Sequence, residues 1–571
     1  MKKSFWFVLS LICFSIGLKA QTPVPFVKTL NNPNRWVDSV FKKMTRNQKI
    51  GQLFMVRAHT DLGQKYADSV GKVIAKEHLG GVVFFQGGPA KQAALTNQYQ
   101  KLSKIPLMVA MDAEWGLGMR LDSTMSYPYQ MTLGAIQNNQ LLYKMGQEVA
   151  KDFKRLGMQI NFAPVMDVNN NPKNPVINFR SFGENKYNVA EKSIAYMQGM
   201  QESGILTTAK HFPGHGDTDV DSHYDLPKLP FTAGRLDSLE MYPFKEAFKA
   251  NLSGVMVAHM NIPSLDNTPN LPSTLSKPIV TDILKNKLGF EGLIFSDAMN
   301  MKGVVKFFPN GEADVRGLIA GNDVLELSEN TLRAEKLIRK SIRQKRLTWA
   351  DIDAKVLKIL KAKYWMGLNK LEPVITTNVV ADLNTPAAQQ LNQELSDAAI
   401  TLLKGESLIP LRNDFVRKTA IINIGPKVPT VFSDAIRKEI PDATLFIIPK
   451  DVTLKELESV KQELKKFDIC LLNIYDTNKR PGSNIGYSID LKLFIADVAK
   501  QNTITTVLAN PYTIASLPGI EGSKTIIIGY QNSPQMENAA VKLLLGKIKA
   551  NGKLPVTINS FFKYGDGIQM K

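Results

Sequence analysis

Short runs of β-branched and aliphatic residues, each followed by a stretch that reads as helix, repeat along most of the chain. Eight of them fall at 53–56, 81–85, 106–111, 160–165, 205–209, 254–258, 292–295 and 324–327. They are apolar throughout rather than alternating in polarity, as strands covered on both faces should be. Eight such strands alternating with helices predict an α/β fold, a (β/α)8 TIM-type barrel. The pattern stops near Trp365-Met366-Gly367-Leu368, and 372–386 reads as an extended segment bearing Pro and Thr. Beyond it, runs at 419–424, 444–448, 469–473, 504–509 and 525–529 alternate with helical stretches and predict a C-terminal α/β sandwich domain. The boundaries so drawn are 1–20 for a leader, 21–370 for the barrel, 371–390 for a linker and 391–571 for the sandwich domain, which carries no phosphate-loop, dinucleotide or nucleophile-elbow signature.

Polar residues fall where a barrel would use them. Asp112, Asp167, Lys210, His211, His259, Asp297 and Glu326 each lie at or just past the C-terminal end of a run. In barrels of this type that end carries the active site.

A chain of 571 residues is too long for one core, which agrees with two domains. At its start Lys2 and Lys3 precede an apolar run from Phe5 to Leu18, and Ala20 offers a small residue for cleavage. This predicts a secretory signal peptide, too short for a stable membrane anchor. Ile12 before Cys13 does not match a lipidation site. The mature chain is therefore expected to be soluble and exported, periplasmic or extracellular, and monomeric. Cys470 is then its only cysteine, so no intramolecular disulfide is expected. The formal net charge of +19 loses only Lys2, Lys3 and Lys19 with the leader, and a basic surface favours acidic partners such as envelope polymers. An exported chain without a recognisable binding module is not expected to bind nucleic acid.

The densest chemistry is at Lys210 to His223, K-H-F-P-G-H-G-D-T-D-V-D-S-H, which holds three of the six histidines and three aspartates. Pro213, Gly214 and Gly216 interrupt regular structure, so the whole segment is expected to be a loop, the kind of element that carries function. Asp221 can hydrogen-bond one nitrogen of the His223 imidazole and leave the other to a substrate, giving a proton donor near neutral pH. The alternatives are a solvated loop, or a metal site built from His211, His215, Asp217, Asp219 and His223. Phe295-Ser296-Asp297-Ala298-Met299-Asn300 places a lone carboxylate after a buried strand, where it could serve as a nucleophile or simply cap a helix.

K-H-F-P-G-H-G followed by D-S-H, the S-D-A-M-N-M step, M-T-R-N-Q-K-I-G-Q-L at Met44 and N-P-V-I-N-F-R-S-F-G at Asn174 together resemble glycoside hydrolase family three, in its β-N-acetylglucosaminidase branch. The resemblance covers about residues 32 to 370 well and the tail more loosely. It implies that Asp297 is the catalytic nucleophile and that His223, oriented by Asp221, is the acid/base. It further implies that Asp112, Arg120, Arg180, Lys210 and His211 hold the sugar, with no metal and no cofactor. Asp167 is left between sugar binding and the buttressing of an arginine. Ala113-Glu114-Trp115-Gly116 departs from the more familiar Gln-Glu-Gly-Gly, so Trp115 either stacks on a sugar or packs the barrel top.

The expected activity is that of a retaining exo-β-N-acetylglucosaminidase acting on peptidoglycan fragments or chitin-type oligosaccharides, with a carbohydrate as the only partner. The rivals are a β-glucosidase or β-xylosidase of the same family, a metal-dependent barrel hydrolase, a silent sugar-binding protein and, for the acceptor, phosphate in place of water.

Overall fold

A computed structural model describes residues 22–222, 224–411, 417–480 and 485–570. The leader, at 1–20, and His223 lie outside the described residues.

Eight parallel strands form the first sheet: β1 (Phe54–Ala58), β2 (Gly81–Phe84), β3 (Met108–Met111), β4 (Ile160–Asn161), β5 (Leu206–Phe212), β6 (Gly254–Val257), β7 (Leu293–Ser296) and β8 (Leu325–Glu326). Each strand from β1 to β7 pairs with the next, β8 pairs with β1, and a bridge between Phe295 and Val324 closes β7 onto β8. The TIM-type barrel is thus present, and all eight apolar runs supply its strands. Every residue of β2, β3, β6 and β7 is buried, because packed side chains fill the inside and helices cover the outside.

Two local readings change. The run at 160–165 yields only a two-residue strand, since Pro164 has no N–H to continue the ladder. The segment from Lys210 is not a loop throughout: Lys210, His211 and Phe212 extend β5, with a register shift between Ala209 and Phe212, and the irregular backbone begins at Pro213.

The second sheet contains β9 (Thr401–Lys404), β10 (Thr419–Gly425), β11 (Thr444–Pro449), β12 (Ile469–Tyr475), β13 (Thr503–Leu508) and β14 (Thr525–Ile528). Its order is β11-β10-β12-β13-β14-β9, parallel except for the edge strand β9. The five predicted runs are β10 to β14. The four-residue strand β9 carried too little pattern to be read. The interval expected to be extended, 372–386, holds one helix, Val379–Leu383, and a second, Pro386–Ala399, begins at its last residue. The second starts where it does because Thr385 caps the Ala388 N–H and Pro386 takes the first turn, where its missing donor costs nothing. Cys470 is buried and free. No helix among the described residues is long and apolar enough to cross a membrane.

The second domain docks on the loops at the barrel mouth. Asn169 donates to the Tyr512 hydroxyl at 2.9 Å, and Asn510 donates to the Asn178 side chain at 2.8 Å. The Gln531 carbonyl accepts from the Tyr129 N–H and the Thr132 hydroxyl, both at 2.8 Å.

Candidate active site

Barrel closure gathers the strand ends around one cavity of about 500 Å3, lined among others by Asp112, Arg120, Arg180, Lys210, His211 and Asp297. Residues spread over nearly two hundred positions of sequence thus share a mouth. Asp112 follows β3, Lys210 and His211 end β5, and Asp297 follows β7. Asp221 sits in the turn after the Gly-bearing loop, and its neighbour Ser222 lines the cavity.

The floor is a buried charge network. Lys210 Nζ lies 2.7 Å from Asp112 and 2.8 Å from Glu114; Arg120 reaches the other Asp112 oxygen at 2.6 Å. Arg180 grips Glu114 bidentately, at 2.6 and 2.9 Å. Burial pushes the Glu114 carboxyl up, but Arg180 and Lys210 outweigh it and hold the group at about 2. Asp112 is held well below the usual carboxylate range, with Lys210 and Arg120 outweighing its burial. Burial pulls Lys210 down, yet the two carboxylates leave it raised. Asp112, Glu114, Lys210 and Arg180 are therefore charged at neutral pH, and the network presents fixed donors and acceptors to a space that suits an uncharged polyol. Glu114 was given no role in the sequence, although it keeps the Glu of the familiar Gln-Glu-Gly-Gly step while Ala113 and Trp115 depart from it.

Asp167 is fully buried and serves the histidine loop rather than an arginine. Its Oδ2 is 2.7 Å from His211 Nδ1, and its Oδ1 accepts the backbone N–H of His215 at 2.7 Å and of His211 at 3.2 Å. The imidazole of His211 is thereby oriented, with Nε2 left over for the cavity. His215 contacts Thr218 through Nδ1 at 2.8 Å and Ser222 through Nε2 at 3.1 Å. Burial, with His211 close by, drives its pKa down to about 4, so it stays neutral and props the turn. Gly216 is required there, because a Cβ would meet the Val168 carbonyl oxygen at 1.8 Å. Asp217 pairs with Arg235. Of the residues weighed as metal ligands, His211, His215 and Asp217 thus have protein partners, and among the described residues no three His, Cys, Asp or Glu converge on a metal position.

Asp297 is not a helix cap: the next helix, Lys302–Val305, starts behind Met301. The Asp297 N–H bonds the Val257 carbonyl at 3.0 Å, and its Oδ1 accepts the Ala298 N–H at 2.7 Å, which fixes the carboxylate at the mouth. His259 is a core histidine. It is fully buried, its Nε2 is 3.1 Å from the Ala298 carbonyl and its Nδ1 is 2.8 Å from Thr274, so it supports the Asp297 loop from behind. Trp115 packs the barrel top, edge-on to Tyr129 with ring centroids 5.0 Å apart, and it also lines the cavity.

Glu326, the last residue of β8, is 4 % exposed, lines the cavity and has an Oε2 with no hydrogen-bond partner. Burial, then the neighbouring Asp112 and Asp297, push its carboxyl well above the ordinary range, against the weaker pull of Lys210 and Arg120. Its protonated, neutral form is thereby favoured. Glu326→Gln is expected to keep kcat/KM within about fivefold near neutral pH and to extend activity to higher pH. In the wild type, rising pH ionises Glu326 and adds a negative charge beside Asp112 and Asp297, whereas the amide stays neutral. A pH profile of both proteins checks this. A loss of about a hundredfold in the Gln variant at pH 7 would mean that Glu326 carries a proton or a charge in the reaction.

Two arginines of the cavity also lay beyond sequence reasoning. Arg57 of β1 stacks on Phe85, 4.5 Å from the ring centroid. Arg480 comes from the second domain, anchored by a 2.9 Å hydrogen bond to the Val176 carbonyl.

Comparison with known proteins agrees with this geometry. The model of the glycosyl hydrolase family 3 N terminal domain matches residues 45–362. Beta-hexosaminidase A of Pseudoalteromonas piscicida is 26% identical over 591 residues, spanning 90% of this chain and 97% of that protein. A beta-N-acetylglucosaminidase/beta-glucosidase of Cellulomonas fimi is 24% identical over 544 residues, spanning 91% and 95%. The solved structure of a glycoside hydrolase family 3 beta-N-acetylglucosaminidase from Paenibacillus sp. str. FPU-7 superposes with a TM-score of 0.76 at 28% identity, over 90% of this chain and 99% of that one.

Proposed function

Since this chain belongs to glycosyl hydrolase family 3 and is a glycoside hydrolase, we propose that it is a retaining exo-β-N-acetylglucosaminidase. The observation that carries the reading is Asp297 at the mouth of a sugar-sized cavity whose floor is the Asp112, Glu114, Lys210, Arg120 and Arg180 network. In this reading Asp297 attacks the anomeric carbon and forms a covalent glycosyl ester. His223, oriented by Asp221, protonates the departing oxygen and then deprotonates the water that releases the sugar. Lys210 and the arginines donate to sugar hydroxyl and acetamido oxygens, and Asp112 accepts from hydroxyls. Relatives that carry β-N-acetylglucosaminidase and β-hexosaminidase names support the sugar assignment. The leader sequence supports export, and with it peptidoglycan fragments or chitin-type oligosaccharides as substrates.

The test compares nitrophenol release from the β-N-acetylglucosaminide and the β-glucoside, with and without chelator, while phosphate is varied. Expected is a preference of about tenfold or more for the acetamido sugar, about 1.4 kcal/mol of discrimination, unchanged by chelator. Preference for the glucoside, or loss with chelator, overturns the reading. Acceleration by phosphate would replace water as the acceptor.

A further inference from the structure

The loop that carries Asp217 and Asp221 is stiff within itself. Asn174 donates to the His215 carbonyl at 2.9 Å and to the Thr218 hydroxyl at 3.3 Å, and Asn171 donates to the Thr218 carbonyl at 3.0 Å. Thr218 donates its own proton to the His215 carbonyl, at 3.1 Å. Its oxygen is then left to accept from His215 Nδ1–H, and the Nε2 lone pair to accept from Ser222. The imidazole thus ties residue 218 to residue 222, and the segment 215–222 is braced as one body with Asp221 inside it. Asp167, Asn171 and Asn174 support that body from one side, the segment that follows β4.

From the other side it is gripped by a charge. Asp217 pairs with Arg235 of the helix Ala233–Ser238, and the same guanidinium nitrogen stands 3.1 Å from Glu240. The place of the arginine is set locally: Thr232 caps the helix by accepting the Arg235 N–H at 3.2 Å, and the guanidinium lies 3.4 Å from the centroid of the Phe231 ring. Glu240 keeps it there. That side chain is 1 % exposed and neither of its carboxylate oxygens has a hydrogen-bond partner, so the charge of Arg235 is its compensation. Burial pushes the Glu240 carboxyl up and Arg235 pulls it back. A buried carboxylate that loses its cation is strongly destabilising, which holds the guanidinium between barrel wall and loop. Gly214, at a φ of 135°, lets the loop leave β5 against this wall, since a Cβ there would meet the Glu240 β-carbon at 2.6 Å.

The pair between Arg235 and Asp217 is itself partly open to solvent, with side chains 30 % and 20 % exposed. Pairs of that exposure add little to folding stability. Their consequence here is geometric, because the loop they fix is braced as far as Ser222, which lines the catalytic cavity. A proton donor works only at hydrogen-bond reach of the departing oxygen, so a small displacement of its loop costs turnover without costing the fold.

The geometry points to Arg235 as a positioning residue for proton transfer: clipped between Glu240 of the barrel wall and Asp217 of the loop, it holds the segment that bears Asp221 at the cavity mouth. The clip is read from contacts alone, whereas its consequence for turnover rests on the Asp221–His223 acid/base reading. Two variants test it. Asp217→Asn cuts the loop end and leaves Arg235 on Glu240. Arg235→Met combined with Glu240→Gln removes the clip without stranding a buried charge. Each is expected to lower kcat/KM on the β-linked N-acetylglucosamine dimer about tenfold or more and on the dinitrophenyl glycoside less than about threefold. Thermal denaturation of Asp217→Asn should move by no more than about 2 °C. Amide hydrogen exchange in 213–222 should quicken about tenfold in both. Adding Asp217→Asn to the double variant should cost nothing more, since both cut one tie. Exchange at the wild-type rate in both variants overturns the clip, whatever the activities do, and so does a further loss in the triple variant. Faster exchange with equal losses on the two substrates would instead leave the clip standing and remove the proton donor from this loop.

Discussion

Asp297→Asn is expected to lower kcat on any β-N-acetylglucosaminide by about 10³-fold or more, equivalent to about 4 kcal/mol of barrel-mouth transition-state stabilisation. The amide cannot form the glycosyl ester, and no second carboxylate can replace it. Asp112 and Glu114 are locked in ion pairs, and burial beside Asp112 and Asp297 disfavours the ionised form of Glu326. The variant should fold normally, because an asparagine oxygen can still accept the Ala298 N–H that Asp297 Oδ1 accepts at 2.7 Å. Thermal denaturation should therefore move by no more than about 2 °C while turnover collapses. A variant that keeps even a tenth of wild-type kcat on both aryl and oligosaccharide substrates would falsify the nucleophile assignment.

His223→Ala should discriminate between leaving groups. An alkoxide from a sugar must be protonated as it departs, whereas a dinitrophenolate need not be. The expected loss is about 10²-fold or more on oligosaccharides and less than about tenfold on the dinitrophenyl glycoside. Glycosyl-enzyme should also accumulate with the activated substrate, because the same imidazole is assigned to activate water. Rapid-quench measurement of a dinitrophenol burst reads this directly. Equal losses on both substrates, with no burst, would place the proton elsewhere.

Parts of this site were legible because they are local. Strand ends carry their polar residues within one or two positions of an apolar run, so Asp112, Lys210, His211 and Asp297 could be placed at one mouth as soon as a barrel was inferred. Arg120 and Arg180 came through the family resemblance, and they share the cavity. Pairing was not legible. Asp167 and His211 are 44 positions apart, and Lys210 meets Asp112 across 98; only closure of the sheet decides that these and not other charges touch. His259 shows the limit from the other side. Its place after an apolar run is the same as that of Asp112, yet it points into packed core and bonds Thr274 and Ala298.

The order of apolar runs and the turns between them determined, without any coordinates, a parallel barrel followed by a second α/β sheet. Periodicity reports which faces of the chain must leave water, and eight covered strands in succession close in few ways. Tertiary structure alone decided the burial of Glu326 between Asp112 and Asp297, which raises its pKa, the service of Asp167 to the histidine loop and the entry of Arg480 from the second domain into the cavity. Each depends on distances between groups that sequence separates widely. Coulomb and desolvation energies are set by those distances and by the surrounding dielectric, neither of which a local pattern contains.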